Sequence, residues 1–302
     1  MINLKSKVCI IGAGYMAGEY CKVLKFLKVP INGIYSRTFI KAEILKKKFL
    51  IRKNFTNLDD MLTKSGSTHV VIAVSEINTL KICKIVSKYK LNFLIEKPCG
   101  YNFKQTKIIN KFFKNNKKVY LALNRRYFNS TLRAKELLKS HEKREIFVLD
   151  QQEPNKNRSK LIQNNWMYAN SIHLIDYIYN FCRGSVKKII ANRSIQGIKN
   201  VSIFFSSGDV ATYKAFWNMP GPWGVMINTK KTYIKLMPLE ILEYRGDKKK
   251  LKKINKIKIN DEKNFKPGLV LMTSIFLKNE SKNLMSLSYN LKLMDLIRKI
   301  YA

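Results

Sequence analysis

Carboxylates are scarce in this chain. Only 20 Asp and Glu stand against 58 Lys and Arg in 302 residues, leaving a formal charge of +38. A chain so short of acid cannot neutralise its own cations, and its positive field draws anions. Metal-binding residues are equally thin. The three histidines are not clustered with cysteines, and Cys9, Cys21, Cys83, Cys99 and Cys182 are scattered without a C-x-x-C pair. That excludes a zinc-ribbon or disulfide-framework reading, so no metal is expected and the thiols are read as reduced. No apolar run approaches the ~18 residues a bilayer span needs, so no membrane partner is expected. The opening MINLKSKVCIIGAG runs straight into a strand pattern without the small-residue cleavage site of a signal peptide. A cytoplasmic location is the expectation. The basic runs Lys46–Lys48, Lys117–Lys118, Lys248–Lys250 and Lys252–Lys253 are dispersed, with no aromatic residues regularly interleaved. They read as solvated surface in a lysine-, asparagine- and isoleucine-rich composition rather than as a nucleic-acid patch. The field still suits an anionic cofactor or a phosphorylated substrate.

Hydrophobic residues make up 46% of the chain, enough for a sizeable core, and the length points to two domains. Over the first 120 or so residues apolar strands (Lys7–Gly12, Ile31–Tyr35, His69–Ser75, Asn92–Glu96, Val119–Asn124) alternate with amphipathic helices (Met16–Leu27, Lys41–Phe49, Thr79–Tyr89, Lys104–Phe113). Val- and Ile-rich strands without polar alternation belong to a parallel sheet covered on both faces. The pattern then changes. Arg144–Gln151, Lys187–Arg193, Val201–Phe205, Val210–Trp217, Gly224–Thr229 and Thr232–Met237 read as strands on short turns, with a hairpin signal at Ser206-Ser207-Gly208-Asp209. Trp166–Phe181, Leu269–Lys278 and Ser286–Tyr301 read as helices, and Lys248–Lys258 as a loop or edge strand. The expected fold class is α/β: a parallel-sheet domain over residues 1–123, then an α/β domain over 124–302 with a large, mostly antiparallel open sheet.

The first strand ends in Gly12-Ala13-Gly14-Tyr15-Met16-Ala17, a G-x-G-x-x-A turn opening a helix. Gly12 permits the tight turn, Gly14 lets a pyrophosphate approach the backbone, and Ala17 allows close helix–strand packing. The helix N-terminus supplies free N–H groups and partial positive charge. This predicts a dinucleotide on Gly12, Ala13, Gly14, Tyr15 and Met16 of a Rossmann-type domain. The second strand ends Tyr35-Ser36-Arg37-Thr38, where an NAD-selective site usually carries Asp or Glu. Ser36 and Thr38 offer hydroxyls, and Arg37 offers a planar cation suited to a phosphate. NADP is therefore expected as cofactor, with NAD still possible if Arg37 only stacks on adenine. Ser75 and Asn78 follow the third strand and are expected at the nicotinamide half.

Leu94-Ile95-Glu96-Lys97-Pro98-Cys99-Gly100 puts a carboxylate, an amine and a fixed bend at another strand tip. Ligands bind beyond the carboxyl ends of such strands, so Glu96 and Lys97 are expected at the crevice. A cis Lys97–Pro98 bond would aim the amine. The ordinary alternative is a strand-end ion pair of little energy.

In the order and spacing of Gly12-Ala13-Gly14, Tyr35-Ser36-Arg37-Thr38, Glu96-Lys97-Pro98, Asn124-Arg125-Arg126-Tyr127 and His173-Leu174-Ile175-Asp176, the chain resembles the Gfo/Idh/MocA oxidoreductases. Met237-Pro238-Leu239-Glu240 and Lys266-Pro267-Gly268 add to the likeness. The resemblance implies hydride transfer between NAD(P) and a carbon bearing a hydroxyl on a sugar, cyclitol or sugar nucleotide, and a homo-oligomer built through the second sheet. It implies Lys97 and His173 as catalytic residues. Lys97, Arg126, Tyr127, Asn170, His173 and Trp217 are the expected substrate contacts, with Trp223 a further stacking candidate. An imidazole near its own pKa suits movement of the hydroxyl proton. Many relatives place Asp four residues before this histidine; here Ala169 holds that position, leaving Asn170 or Asp176 to orient the ring. The same departure supports a rival reading, a non-catalytic NAD(P)-binding sensor or scaffold. His69 and His141 are read as incidental.

Overall fold

The structure, a computed structural model, describes residues 6–138, 142–192, 195–246, 252–254 and 264–302. His141 and most of Lys248–Lys258 lie outside the described residues. Residues 1–124 form one compact unit together with 260–291, and 125–259 form a second with 292–302.

The first unit alternates β1 (Val8–Ile11), α1 (Tyr15–Phe26), β2 (Ile31–Tyr35), α2 (Phe39–Phe49), β3 (Asn54–Phe55), α3 (Leu58–Lys64), β4 (His69–Ile72), α4 (Glu76–Val86), β5 (Asn92–Glu96), α5 (Phe103–Phe112) and β6 (Val119–Ala122). Every residue of β1, β4 and β6 is buried, as unalternating Val/Ile strands under helices on both faces require. At roughly 1.5–3 kcal/mol for each fully buried Val or Ile, these short strands anchor the unit. β1 pairs in parallel with β2 and β4, β4 with β5, and β5 with β6. Asn57 caps α3 by accepting from the Asp60 N–H at 3.0 Å, and Asn102 caps α5 through the Gln105 N–H at 2.9 Å, each satisfying an amide the helix leaves open. The two-residue β3 and seven-residue α3 are too short to show a period, and they were not anticipated.

The second unit holds α6 (Asn129–Leu137), β7 (Glu145–Gln152), α7 (Lys160–Gln163), α8 (Ile172–Phe181), β8 (Val186–Asn192), β9 (Ile198–Phe205), β10 (Val210–Trp217), β11 (Trp223–Asn228), β12 (Tyr233–Leu236), β13 (Leu242–Arg245) and β14 (Lys252–Ile254). Its eight-stranded sheet runs β14-β13-β12-β11-β7-β10-β9-β8, antiparallel except for the β7–β10 pair. Burial alternates along β7, β9 and β10: one face is covered by α6 and α8 and the other is half-exposed. The basic Lys252–Ile254 piece is an edge strand, as anticipated for part of that run.

Two further elements complete the first unit. α9 (Leu269–Leu277) packs on α1, and β15 (Met285–Ser286) adds to the parallel sheet antiparallel to β6. The sequence LVLMTSIFL of α9 has almost no polar face, so the helix needs burial on more than one side. The last helix, α10 (Leu287–Ile300), spans both units. The segment 260–291 thus returns to the first unit after the second has begun, and nothing local in the sequence signals that return.

Candidate functional site

The tips of β1, β2 and β4 open on a cleft of about 340 Å³. It is lined by Gly12, Ala13, Gly14, Ser36, Arg37, Thr38, Ser75 and Asn78 of the sequence-predicted set. Gly12 has φ +115°, and a Cβ there would lie 2.1 Å from the Ala73 carbonyl oxygen. Only glycine fits this turn, where β1 passes beside the β4–α4 connection. Gly14 is different: a Cβ there would meet nothing within 4 Å. Its openness faces the start of α1, which has no side-chain cap and no acidic residue in its first turn. Uncapped N–H groups at an exposed helix N-terminus form an anion cradle, so these residues fit the pyrophosphate of a dinucleotide. Tyr15, Met16, Glu96 and Lys97 stand outside the cleft lining, and Tyr15 is largely exposed.

The other end of the cleft is cationic. Arg37 shares it with Lys41 from the first turn of α2 and Lys81 from α4, and among the described residues no carboxylate lines it. The Ser36 hydroxyl accepts from the Thr38 N–H at 3.2 Å, fixing the turn that presents Arg37. Ser75 caps α4 without a side-chain bond to its amides, and Asn78 donates to the Ser75 hydroxyl. This places Ser75 and Asn78 in the same cleft as Arg37. Lys41 and Lys81 were not singled out in the sequence; one turn of helical spacing, Asn78 to Lys81, is the signal that would have found the second.

At the tip of β5, Tyr20 of α1 donates to Glu96 Oε1 at 2.6 Å, and the Lys97 N–H donates to Oε2 at 3.2 Å. Burial raises the Glu96 carboxyl above the usual range. The Tyr20 hydrogen bond and the charges of Lys97 and Lys266 pull the other way. The Lys97–Pro98 peptide bond is cis.

In the second unit the helix expected over Trp166–Phe181 begins as a π-turn at Met167–Ser171 and becomes α only in α8. Such turns recur at functional sites, and this one carries Ala169 and Asn170. Asn170 Nδ2 and Trp166 Nε1 both donate to Gln152 Oε1 at 2.9 Å. His173 is buried on α8. Asp176 receives Arg126 in a two-pronged pair, Nε to Oδ2 at 2.7 Å and Nη2 to Oδ1 at 2.8 Å. The structure thus gives Arg126 and Asp176 to each other and gives Asn170 to Gln152. Tyr127 is buried. Trp217 packs edge-on against Tyr301 with centroids 5.8 Å apart. Arg125 stacks 4.4 Å over the Trp223 ring, and burial pushes its guanidinium down to about 10. Beneath them Asp150, fully buried, accepts from the Tyr213 hydroxyl at 2.6 Å and from Gln152 Nε2. Burial raises Asp150 while those bonds lower it. Gln152 and Trp166 were not foreseen; no motif marks them, and only the π-turn brings them to Asn170. Among the described residues no group of three or more His, Cys, Asp or Glu could hold a metal, and no helix is long and apolar enough to cross a membrane.

Comparison with known proteins agrees with this geometry. No curated protein matches the chain by sequence. Among solved structures, UDP-N-acetylglucosamine 3-dehydrogenase GnnA from Acidithiobacillus ferrooxidans is similar at a TM-score of 0.77 and 12% identity, over 97% of this chain and 96% of that one. Levoglucosan dehydrogenase, in complex with NADH and levoglucosan, is similar at a TM-score of 0.80 and 13% identity, over 98% and 96%. A putative NADPH-dependent oxidoreductase from Desulfitobacterium hafniense is similar at 0.78 and 15%, over 98% and 94%. At these identities the likeness is one of fold. The sequence model of the Gfo/Idh/MocA oxidoreductase family, NAD-binding Rossmann fold, matches residues 6–123. Over residues 6–123 the chain is therefore similar to the NAD-binding Rossmann domain of the Gfo/Idh/MocA oxidoreductases.

Proposed function

We propose that this protein is an NADP-preferring oxidoreductase acting on an alcohol or ketone of a sugar, cyclitol or sugar nucleotide. The observation that carries the cofactor choice is the cleft beyond β2, where Arg37, Lys41 and Lys81 converge with no carboxylate among the lining residues. A ribose diol is usually held by Asp or Glu, whereas a 2′-phosphate is held by cations. The substrate class follows from the family resemblance and from the sugar-linked neighbours GnnA and levoglucosan dehydrogenase.

Bound nicotinamide would supply or accept the hydride. This chain's residues bind, orient and move the proton. Gly12, Ala13, Gly14 and the N-terminus of α1 hold the pyrophosphate; Ser36, Arg37, Thr38 and Lys41 hold the phosphorylated ribose. Ser75 and Asn78 shape the cleft wall beside them. The Tyr20–Glu96 bond fixes the tip of β5 from which Lys97 extends. Lys97 stabilises alkoxide charge at the reacting oxygen, and His173 carries the hydroxyl proton; Gln152 holds Asn170, one turn earlier in the chain. We assign the half-exposed face of the second sheet to contacts between copies of the chain, and the five free, buried thiols to a reducing compartment, the cytoplasm.

The test is the ratio of NADPH to NADH affinity by fluorescence titration, for wild type and for Arg37→Asp. We expect wild type to favour NADPH and the variant to lower the ratio by at least about tenfold, the loss of one charge-assisted contact plus a new repulsion. An unchanged ratio would remove Arg37 from the selectivity. The rival reading, a sensor without catalysis, draws on Ala169, which is buried and carries no carboxylate. Tight NADPH binding with no turnover across a panel of sugars, cyclitols and nucleotide sugars would favour it.

A further inference from the structure

One cation at the cofactor side of the first unit comes from far along the chain. Lys266 lies in the segment that returns from the second unit, and its ammonium sits 5.5 Å from the centroid of the Tyr15 ring. Tyr15 is the first residue of α1, directly after Gly14, and is 71% exposed. The segment is pinned on both sides of the lysine. Phe265 packs on Phe26 of α1 with centroids 4.9 Å apart, and the Pro267 carbonyl accepts from Asn124 Nδ2 at 2.9 Å. Gly268 then turns at φ +71° to cap α9. The lysine is thus delivered to the mouth of the glycine turn by a built support.

Lys266 and Lys97 both act on the Glu96 carboxylate, which already accepts from Tyr20 and from the Lys97 N–H. The uncapped end of α1 adds about half an elementary positive charge. The Lys266 ammonium and the helix N-terminus thus bring positive charge to one place, and α1 supplies no acid in its first turn to offset it. Positive charge so placed attracts an anion, and the room for one is the open space at Gly14. A tyrosine ring holds an ammonium weakly, so stacking on Tyr15 orients Lys266 without using up its charge.

We infer that Lys266 is a cofactor-binding residue, closing on the pyrophosphate of the bound dinucleotide from the side opposite the glycine turn. This rests on reading the cleft as a dinucleotide site. Its consequence is that affinity for the cofactor depends on a residue outside the N-terminal 124, carried by the segment that α9 anchors.

The test uses two probes and isothermal titration. ADP-ribose contains the pyrophosphate but no nicotinamide; adenosine 2′-monophosphate contains neither pyrophosphate nor nicotinamide. Lys266→Met is expected to weaken ADP-ribose and NADPH by about tenfold or more, the value of one charge-assisted contact. Adenosine 2′-monophosphate should bind within about twofold of wild type. Lys266→Arg should retain most of the ADP-ribose affinity, and the salt dependence of ADP-ribose binding should be shallower in the Met variant. Wild-type ADP-ribose affinity in Lys266→Met would overturn the inference while leaving the cleft reading intact. An equal loss for both probes would also overturn it, since Lys266 would then support the whole unit and not the pyrophosphate. Failure of wild type itself to bind ADP-ribose would overturn the cleft reading.

Discussion

Gly12 and Gly14 sit two residues apart in one turn, and their substitution by alanine should fail in opposite ways. At Gly12 the new Cβ would stand 2.1 Å from the Ala73 oxygen and 2.7 Å from its carbonyl carbon, where carbon contacts are comfortable only near 3.5 Å. Both atoms are backbone and cannot swing aside, so the β1–α1 and β4–α4 connections must move apart by an ångström or more. The backbone at φ +115° adds about 1–3 kcal/mol for a residue with a side chain. With the overlap only partly relieved, the total is about 4 kcal/mol, at the upper end for single substitutions. For a chain of this size that is a fall of roughly 10 °C in apparent melting temperature. At Gly14 the Cβ meets nothing within 4 Å, and no positive φ is involved. Gly14→Ala should therefore melt within about 2 °C of wild type, since nothing in the protein is displaced. The Cβ would nevertheless stand in the path of the pyrophosphate, and NADPH affinity should fall by about tenfold or more. Thermal melting by circular dichroism and cofactor titration by fluorescence read the two effects separately. Wild-type affinity in Gly14→Ala would refute the claim that this space is kept open for a ligand. Wild-type stability in Gly12→Ala would refute the steric argument for the turn.

Two further outcomes are expected. Lys97→Met and His173→Ala should each lower turnover by more than about tenfold once a substrate is in hand, as removal of a general acid–base or charge-stabilising group does; turnover within about twofold would place the proton chemistry elsewhere. Asp176→Asn should cost about 3–5 kcal/mol, because it removes the charge from the two-pronged pair with the Arg126 guanidinium, 10% exposed; chemical denaturation measures this, and a loss below about 1 kcal/mol would show the pair to be solvated.

The fold was legible where burial writes a period into the chain. β1, β6 and, after His69, β4 are apolar runs because both faces of their sheet are covered, and β7, β9 and β10 alternate because only one face of theirs is. The glycine turn was legible because backbone geometry leaves few residue choices. What escaped had no local signature. α6 is the polar stretch NSTLRAKEL, whose helix is fixed by contacts such as Ser130 Oγ donating to the Leu239 carbonyl and the 2.7 Å Thr131–Tyr177 hydroxyl pair. The return of α9 to α1, and with it Lys266 to Tyr15, is a tertiary fact that periodicity cannot state. At the site, Lys41 and Lys81 were missed for the opposite reason: in so basic a chain, two more lysines on helices carry no information until the cleft places them beside Arg37. Asp176 is one of two candidates to orient His173, and sequence spacing carries no sign of its two hydrogen bonds with Arg126.

His69 offers a pH test of the first unit that does not involve the cofactor. It is 2% exposed at the start of β4. With the proton on Nε2, the ring donates to Asn279 Oδ1 at 3.2 Å, and Nδ1 accepts from the Thr68 hydroxyl at 2.9 Å. Asn92 donates to the same Asn279 oxygen at 2.9 Å, and the edge of Phe276 closes one side. The neutral ring thus joins β4, β5 and the residues after α9. Burial lowers its pKa, the positive charge of Lys118 adds to that, and the bonds to Asn279 and the Phe276 backbone oppose it. In the unfolded chain the imidazole titrates near 6.5, so on acidification the unfolded state takes up its proton first. The unfolded state then binds more protons than the native one, and stability falls as pH drops below about 6.5 toward the depressed folded value, by at most about 1.4 kcal/mol per pH unit. Above about pH 7 the contribution is complete and flat. A chain of net charge +38 also loses stability in acid through general repulsion, so wild type must be compared with His69→Gln, which keeps a neutral amide in place of the ring and shares that background. Urea denaturation at pH 7.5, 6.5 and 5.5 should show the wild-type curve falling toward the variant's as pH is lowered. Parallel curves over this range would mean that the buried ring does not resist protonation, and that the hydrogen bonds around it accept the imidazolium as readily as the neutral form.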